Sequence, residues 1–413
     1  MPSLAIVYDK TGCKVIKQSA NMYDVIIVGA GIIGSSTAYQ VAKRGHRVVL
    51  LEQFDFLHHR GSSHGESRTI RATYPQNYYC NMVRESSKLW EEAEAEIGYK
   101  VYFKSSHVDV GPSDDKDLIS LMQSCSINGY PFVRMDPAQA QDRFQGRITI
   151  PSGWIAVETE IGGVLKATKA VAMFQTLALR NGAVLRDNME VVTVDKEDEE
   201  GVTVVAANGE KFRGRKCVVT AGGWAGKLAK KIAGIELPIK TIENVIHYWR
   251  IKKGYEKFFT MASGFPTFAS YGSPFIYGTP SFEYPGLIKV AVHGGKECDP
   301  DKRQWGTPEE LAEPVKEWMK VTFGEMVEDG APAISQLCMY SMTPDEDYVI
   351  DFVGGEFGNE VVIGAGFSGH GFKMGPIVGR MLADMVLTSK SDDVVHRHFS
   401  KRRFQKHCTL SGI

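Results

Sequence analysis

Between Tyr23 and Glu52 the chain carries a strand, a glycine-rich turn, a helix, a second strand and a terminal acid without interruption. Tyr23 to Val28 is a run of apolar and β-branched residues, as expected for a strand buried on both faces. Gly29-Ala-Gly31-Ile-Ile-Gly34 follows, and Ala38, Val41 and Ala42 then recur at helical spacing until Gly45. A second apolar run, Val48 to Leu51, ends in Glu52. The three glycines serve different ends. Gly29 allows the tight turn, Gly31 admits a pyrophosphate to the backbone, and Gly34 lets helix and strand pack closely. The helix N-terminus offers unpaired N–H groups to phosphates, and Glu52 can accept from ribose hydroxyls. A bare glycine triplet reads equally well as an ordinary turn. With all the parts in register, the segment reads as a nucleotide-binding unit of Rossmann type, hence an α/β fold.

Length and composition set the frame. With 413 residues the chain is long enough for two or three domains, and 43% hydrophobic with 23% charged residues is ordinary for a globular protein. The net charge of −1 gives no global attraction to nucleic acid or an anionic membrane. No apolar run approaches the roughly 18 residues of a membrane span. Asp9, Lys10, Lys14 and Lys17 interrupt any signal-peptide core. Residues 1–21 read as an extension without an assigned role, its residues 4–17 as strand, turn and strand. The seven cysteines, at 13, 80, 125, 217, 298, 338 and 408, include no CxxC spacing, which argues against a disulfide framework and a structural metal site.

The middle of the chain alternates. Met82, Leu89, Trp90, Ala93 and Ile97 mark one helix face, and a second helix spans about 165–182. Short strands at 191–194, 202–206 and 217–220 follow, with an Asn208-Gly209 turn between the last two and a solvated acidic run at 196–200. Ala221-Gly-Gly-Trp224 resembles a second nucleotide-contacting loop. Residues 245–295, rich in aromatics and glycine, suggest a separate antiparallel sheet. The expected architecture is a nucleotide domain assembled from 22–98, 158–236 and 337–398, with a β-rich substrate domain of 99–157 and 237–336 inserted.

Two further segments carry chemistry. Arg60-Gly-Ser-Ser-His64-Gly-Glu-Ser-Arg68-Thr-Ile-Arg71 follows the second strand, where loops surround the ligand crevice of an open α/β sheet. Arginine there can bind a carboxylate bidentately. Near the C-terminus stand Cys338-Met-Tyr340 and then Gly364-Ala-Gly366-Phe-Ser-Gly369-His370-Gly-Phe-Lys373. A lysine at a helix start opposes the helix dipole unless an anion is present.

Taken in order, the Gly29 fingerprint, the His64-to-Arg71 loop, Cys338-Met-Tyr and the Gly364-to-Lys373 loop resemble the monomeric sarcosine oxidase and L-pipecolate oxidase family of flavoproteins. The likeness covers about 23–388. It implies an FAD cofactor bound by Gly29, Gly31, Gly34, Glu52, Gly364, Gly366 and Gly369 and attached covalently through Cys338. It places the substrate carboxylate on Arg71 and Lys373, with Tyr340 and His293 as further pocket residues and His370 nearby. His64 and Arg68 fall beside the flavin. Lys289, one residue out of step because of Ile288, falls where the family has the lysine that promotes reaction with oxygen, since a fixed cation stabilises developing superoxide-like charge. No metal is implied.

The implied reaction removes the C–H hydrogen next to the nitrogen of a small secondary amino acid as a hydride equivalent, leaving an imine, and O2 then yields hydrogen peroxide. Sarcosine and L-pipecolate are the leading substrates. N-methyltryptophan and other N-alkyl amino acids stand as alternatives, because the aromatic region 265–277 departs from the bacterial sarcosine pattern. A flavin-dependent dehydrogenase and a non-enzymatic nucleotide-binding protein are the competing classes, and fold alone separates neither. The resemblance leans towards a monomer. The basic stretch 396–407 reads as a solvated face, and Ser411-Gly412-Ile413 only loosely echoes a peroxisomal ending, leaving peroxisome and cytosol both open.

Overall fold

The computed structural model describes residues 4–8, 14–18, 22–197, 201–303, 305 and 309–407. Cys13, Cys408, the turn expected near residue 11, the end of the acidic run at 196–200 and the 411–413 ending lie outside the described residues. Leu4–Tyr8 and Lys14–Gln18 pair as an antiparallel hairpin apart from both main sheets.

Strong β-formers at 23–28 and 48–51 place Tyr23–Val28 and Val48–Leu51 at the centre of an eight-stranded sheet. Their parallel neighbours are Lys211–Val219 on one side and Val184–Arg186 on the other. The antiparallel strands Val191–Glu197 and Gly201–Ala206 extend the sheet, and Val361–Ala365 joins in parallel to Lys211–Val219. One sheet face packs on the helices Ile32–Lys43, Ala167–Arg180 and Gly375–Thr388. This contact carries the C-terminal loop to the fingerprint: Ser36 Oγ donates to the Gly375 carbonyl at 2.7 Å, and a Cβ at Gly379 would come within 2.4 Å of that Oγ.

The second sheet has ten strands and includes Lys240–Arg250, Leu287–Val292, Ile276–Thr279, Thr267–Ser270, Tyr102–Pro112, Trp154–Leu165 and Arg68–Arg71. Its pairings are antiparallel except that Thr267–Ser270 runs parallel to Tyr102–Pro112. A separate apolar core beneath it gathers Phe259, Phe265, Phe268 and Phe323. Two expected domain borders, 157/158 and 336/337, fall inside the strands Trp154–Leu165 and Ile334–Met342, and both strands lie whole in this sheet. Arg68–Arg71, expected within the nucleotide domain, also pairs here, with Trp154–Leu165. Hydrophobic pattern marks a strand but not its sheet, because the pairing partners lie far away in sequence.

Candidate functional site

Two cavities meet between the sheets and share Arg68, Cys338, Tyr340, Gly369 and Phe372 in their walls. The first runs from the fingerprint past Glu52, Ser62 and the 220–224 loop to Cys338. The second, of about 780 Å3, holds Arg71, Lys289, His293, His370 and Lys373 and falls in the usual size range of ligand pockets.

At the fingerprint the glycines differ in what they permit. Gly29 has φ +97°, in the left-handed region. A Cβ on Gly34 would stand 1.8 Å from the Gly29 carbonyl oxygen, so only hydrogen fits between helix and loop. At Gly31 a Cβ would reach 3.0 Å from Ser63 Oγ and fill the cradle above the helix N-terminus, which no side chain of the N-cap residue closes. Glu52 accepts from Ala30 N at 2.7 Å and Phe54 N at 3.2 Å, and so braces the turn as well as lining the cavity. A glycine-lined helix N-terminus, where Ser63 Oγ accepts from Ile32 N at 3.0 Å, with a buried acid beside it fits a dinucleotide. Gly34, Gly364, Gly366 and His64 line neither cavity. Gly364 lies inside a strand against Leu382, and Gly366 against Thr343.

Cys338 and Tyr340 alternate onto one face of Ile334–Met342. Arg68 Nη2 stands 3.5 Å from Cys338 Sγ and donates to the carbonyls of Ser62 and His64 at 2.9 and 2.8 Å. Arg303, which sequence reading passed over, donates to the Cys338 carbonyl at 3.2 Å and pairs with Glu243. His64 is buried with neither ring nitrogen partnered among the described residues, and burial and the Arg68 charge push it down to about 3. Gly369 (φ +75°) lies where a Cβ would be 2.5 Å from His293 Cε1, so glycine is required both for conformation and for space.

The second cavity concentrates cations away from water. Lys373 is 8% exposed, and its carbonyl is anchored by Ser86 Oγ at 2.6 Å and Trp90 Nε1 at 3.0 Å, which aims the amine inward. The amine donates to Tyr74 OH at 2.9 Å and has no carboxylate partner among the described residues. Burial, reinforced by Arg71, holds it well below the usual lysine range. Arg71 donates to Tyr271 OH at 3.2 Å and stacks over Tyr74 at 4.7 Å. Lys289 Nζ donates to Ser67 O and Oγ at 3.0 and 3.1 Å, and burial pushes it down to about 8. Burial also lowers His293, to about 4, and drives His370 well below its ordinary value. Behind Arg71 lie His107 and Asp109, which sequence reading missed although their spacing puts both on one strand face. Among the described residues no cluster of His, Cys, Asp and Glu could hold a metal, and no helix is long and apolar enough to cross a membrane.

Residues 24–385 match the family described as FAD dependent oxidoreductase. "Probable sarcosine oxidase" of Arabidopsis thaliana is 58% identical over 93% of this chain and 93% of its own length. "Peroxisomal sarcosine oxidase" of Homo sapiens is 33% identical over 88% and 92% of the two chains. Among solved structures, NikD, an unusual amino acid oxidase essential for nikkomycin biosynthesis, superposes with a TM-score of 0.78 at 22% identity, covering 91% of this chain and 96% of its own. The dinucleotide cradle, its junction with a buried cationic pocket and a match across 24–385 agree: the chain belongs to the FAD dependent oxidoreductase family.

Proposed function

We propose that the protein oxidises a small secondary α-amino acid, sarcosine first and L-pipecolate second, at the C–H bond next to nitrogen. The observation that carries this reading is the convergence of Arg71 and Lys373, which has no carboxylate partner among the described residues, on one buried cavity that shares a wall with the cofactor cavity. Two cations facing one enclosed space suit one carboxylate, and charge-assisted hydrogen bonds both bind and orient it. FAD, when bound, supplies the two-electron acceptor. The fingerprint loop and Glu52 would hold its dinucleotide part, and Cys338 is assigned as the covalent anchor through a thioether at Sγ. Tyr340 and Gly369 shape the wall between the cavities, and the absence of a side chain at 369 keeps that wall open.

The amine must be neutral before oxidation. His293 and His370 are both held uncharged by burial, so neither adds a further cation beside Lys373. The product is an imine, which water hydrolyses to glycine and formaldehyde when sarcosine is the substrate. Lys289 is assigned to the step with O2, where a buried cation stabilises charge developing on oxygen and hydrogen peroxide forms. The protein is read as a monomer. The name of the human relative favours a peroxisomal site, where peroxide is disposed of.

Anaerobic mixing of the yellow protein with sarcosine and, separately, L-pipecolate tests the reading. Rapid bleaching of the flavin band by one of them is expected. Bleaching by neither, with N-methyltryptophan active instead, would move the substrate to a bulkier amine. Acid precipitation tests the anchor: a yellow pellet is expected, and a colourless pellet would refute attachment at Cys338.

A further inference from the structure

Asp109 has no place in the oxidation chemistry, yet it is wholly buried beside it. Arg71 Nη1 lies 3.7 Å from Asp109 Oδ1. His107 Nε2 lies 3.2 Å from the same oxygen, while His107 Nδ1 meets Thr267 Oγ1 at 2.9 Å. Asp109 Oδ2 has no hydrogen-bond partner among the described residues. Burying a carboxylate this way is costly unless its charge is used, and an amide could meet His107 equally well.

Burial alone would raise the Asp109 carboxyl, but His107 and Arg71 outweigh it and hold the group below its ordinary value, so it is ionised at neutral pH. His107 is itself pushed down by burial. Of the ionisable groups around the clamp, Tyr74, Tyr271, His293 and His370 are therefore neutral. In the loaded clamp Arg71 and Lys373, whose proton the bound carboxylate stabilises against burial, contribute two positive charges, and Asp109 cancels one. A single carboxylate brings the loaded clamp to zero.

We propose that Asp109 is a positioning residue whose charge, set behind the Arg71 guanidinium, limits the clamp to one carboxylate and keeps that carboxylate releasable. This rests on the reading of Arg71 and Lys373 as the carboxylate clamp. With Asp109 ionised, a second carboxylate meets a site already neutralised, and a product acid such as glycine leaves without breaking an excess attraction. Without that charge, the clamp holds anions too tightly and admits a dianion.

The test is a titration of the flavin-loaded protein with acetate and with malonate, read as perturbation of the flavin absorption band. The wild-type protein should bind acetate at least tenfold more tightly than malonate. In Asp109→Asn the Kd for acetate should fall about tenfold, as expected for loss of one nearby charge at an effective dielectric of about 20, and that for malonate further. His107→Gln, which keeps a hydrogen-bond donor and leaves the Asp109 carboxylate in place, should leave the acetate Kd within about twofold. A merely structural role would weaken binding, never tighten it. An unchanged or raised acetate Kd in flavin-loaded Asp109→Asn overturns the proposal. If that variant does not fold, the wild-type pair decides, because equal affinity for malonate and acetate overturns it as well. Arg71→Ala separates the two levels. An unchanged acetate Kd there sinks the clamp and this inference together; weakened binding there, with Asp109→Asn unchanged, sinks this inference alone.

Discussion

Where the first cavity meets the fingerprint, its wall is largely main chain: the Gly29 turn, the N-terminal end of Ile32–Lys43 and the 220–224 loop. The far end of the second cavity is walled by side chains that arrive from separate strands and loops, Arg71, Tyr271, Lys289, His293 and Lys373. A backbone cradle can be encoded in one short run, because its requirement is the absence of side chains at fixed intervals. A charged pocket needs residues spaced across most of the chain, and each is held by others still further away: Ser86 and Trp90 for Lys373, Ser67 for Lys289. The first should therefore fail sharply when one atom is added, and the second by degrees as single charges are removed.

The largest effect tests the cradle. In Gly34→Ala the new Cβ would sit 1.8 Å from the Gly29 carbonyl and 2.6 Å from Thr220 Oγ1, and backbone cannot move aside as a side chain tip can. We expect purified protein essentially without flavin, read as the ratio of flavin to protein absorbance. Near-normal flavin content would show that the helix and turn tolerate separation. Next comes Lys289→Met, which removes the cation held by Ser67. It should slow the reaction of reduced protein with O2 by about a hundredfold while bleaching by substrate changes little, the scale usual for one stabilising charge. The same lysine sets a pH signature. Its pKa is lowered, so the charge is present below about 8 and is lost above it, and the oxygen step should slow as pH rises through about 8. Equal slowing of both half-reactions would count against this role.

Arg71→Ala gives a smaller, graded loss. Removing one charge-assisted pair should raise the KM for sarcosine by about 10- to 100-fold, since Lys373 still faces the carboxylate. An unchanged KM would refute the clamp.

How much of this was legible in the sequence follows the same division. The fingerprint could be read in full because strand, turn and helix are neighbours and each glycine has a local reason. Cys338, Arg68 and Lys373 became legible through the resemblance, and the structure brings them to the two cavities. His107 and Asp109 went unnoticed because an alternating His-x-Asp in a strand signals nothing until Arg71 is seen opposite it. Arg303 was equally silent, lying some 35 positions from the Cys338 carbonyl it holds. The sheet membership of Arg68–Arg71 and Ile334–Met342 was misplaced for the same reason: pairing partners are not written in the strand itself.

Gly364 offers the smallest and most discriminating test, because it separates a glycine that serves a ligand from one that serves packing. Its loop begins a motif that resembles a cofactor contact, yet it lies in Val361–Ala365 and lines neither cavity. A Cβ there would stand 2.9 Å from Leu382 Cδ1, the mobile end of a side chain, and the backbone adopts no left-handed angle. Gly364→Ala should therefore cost about 1 to 2 kcal/mol of unfolding free energy, the usual range for a mild overpacking, with flavin content and KM unaltered. Denaturant unfolding alongside the flavin absorbance ratio measures both quantities on one sample. Loss of flavin with stability intact would return Gly364 to the cradle and extend the main-chain wall from the first strand to the last. Loss of stability with flavin intact would confine that wall to the segments around residues 29–34 and 220–224, and leave Gly369 as the glycine of the C-terminal loop that the cavities require.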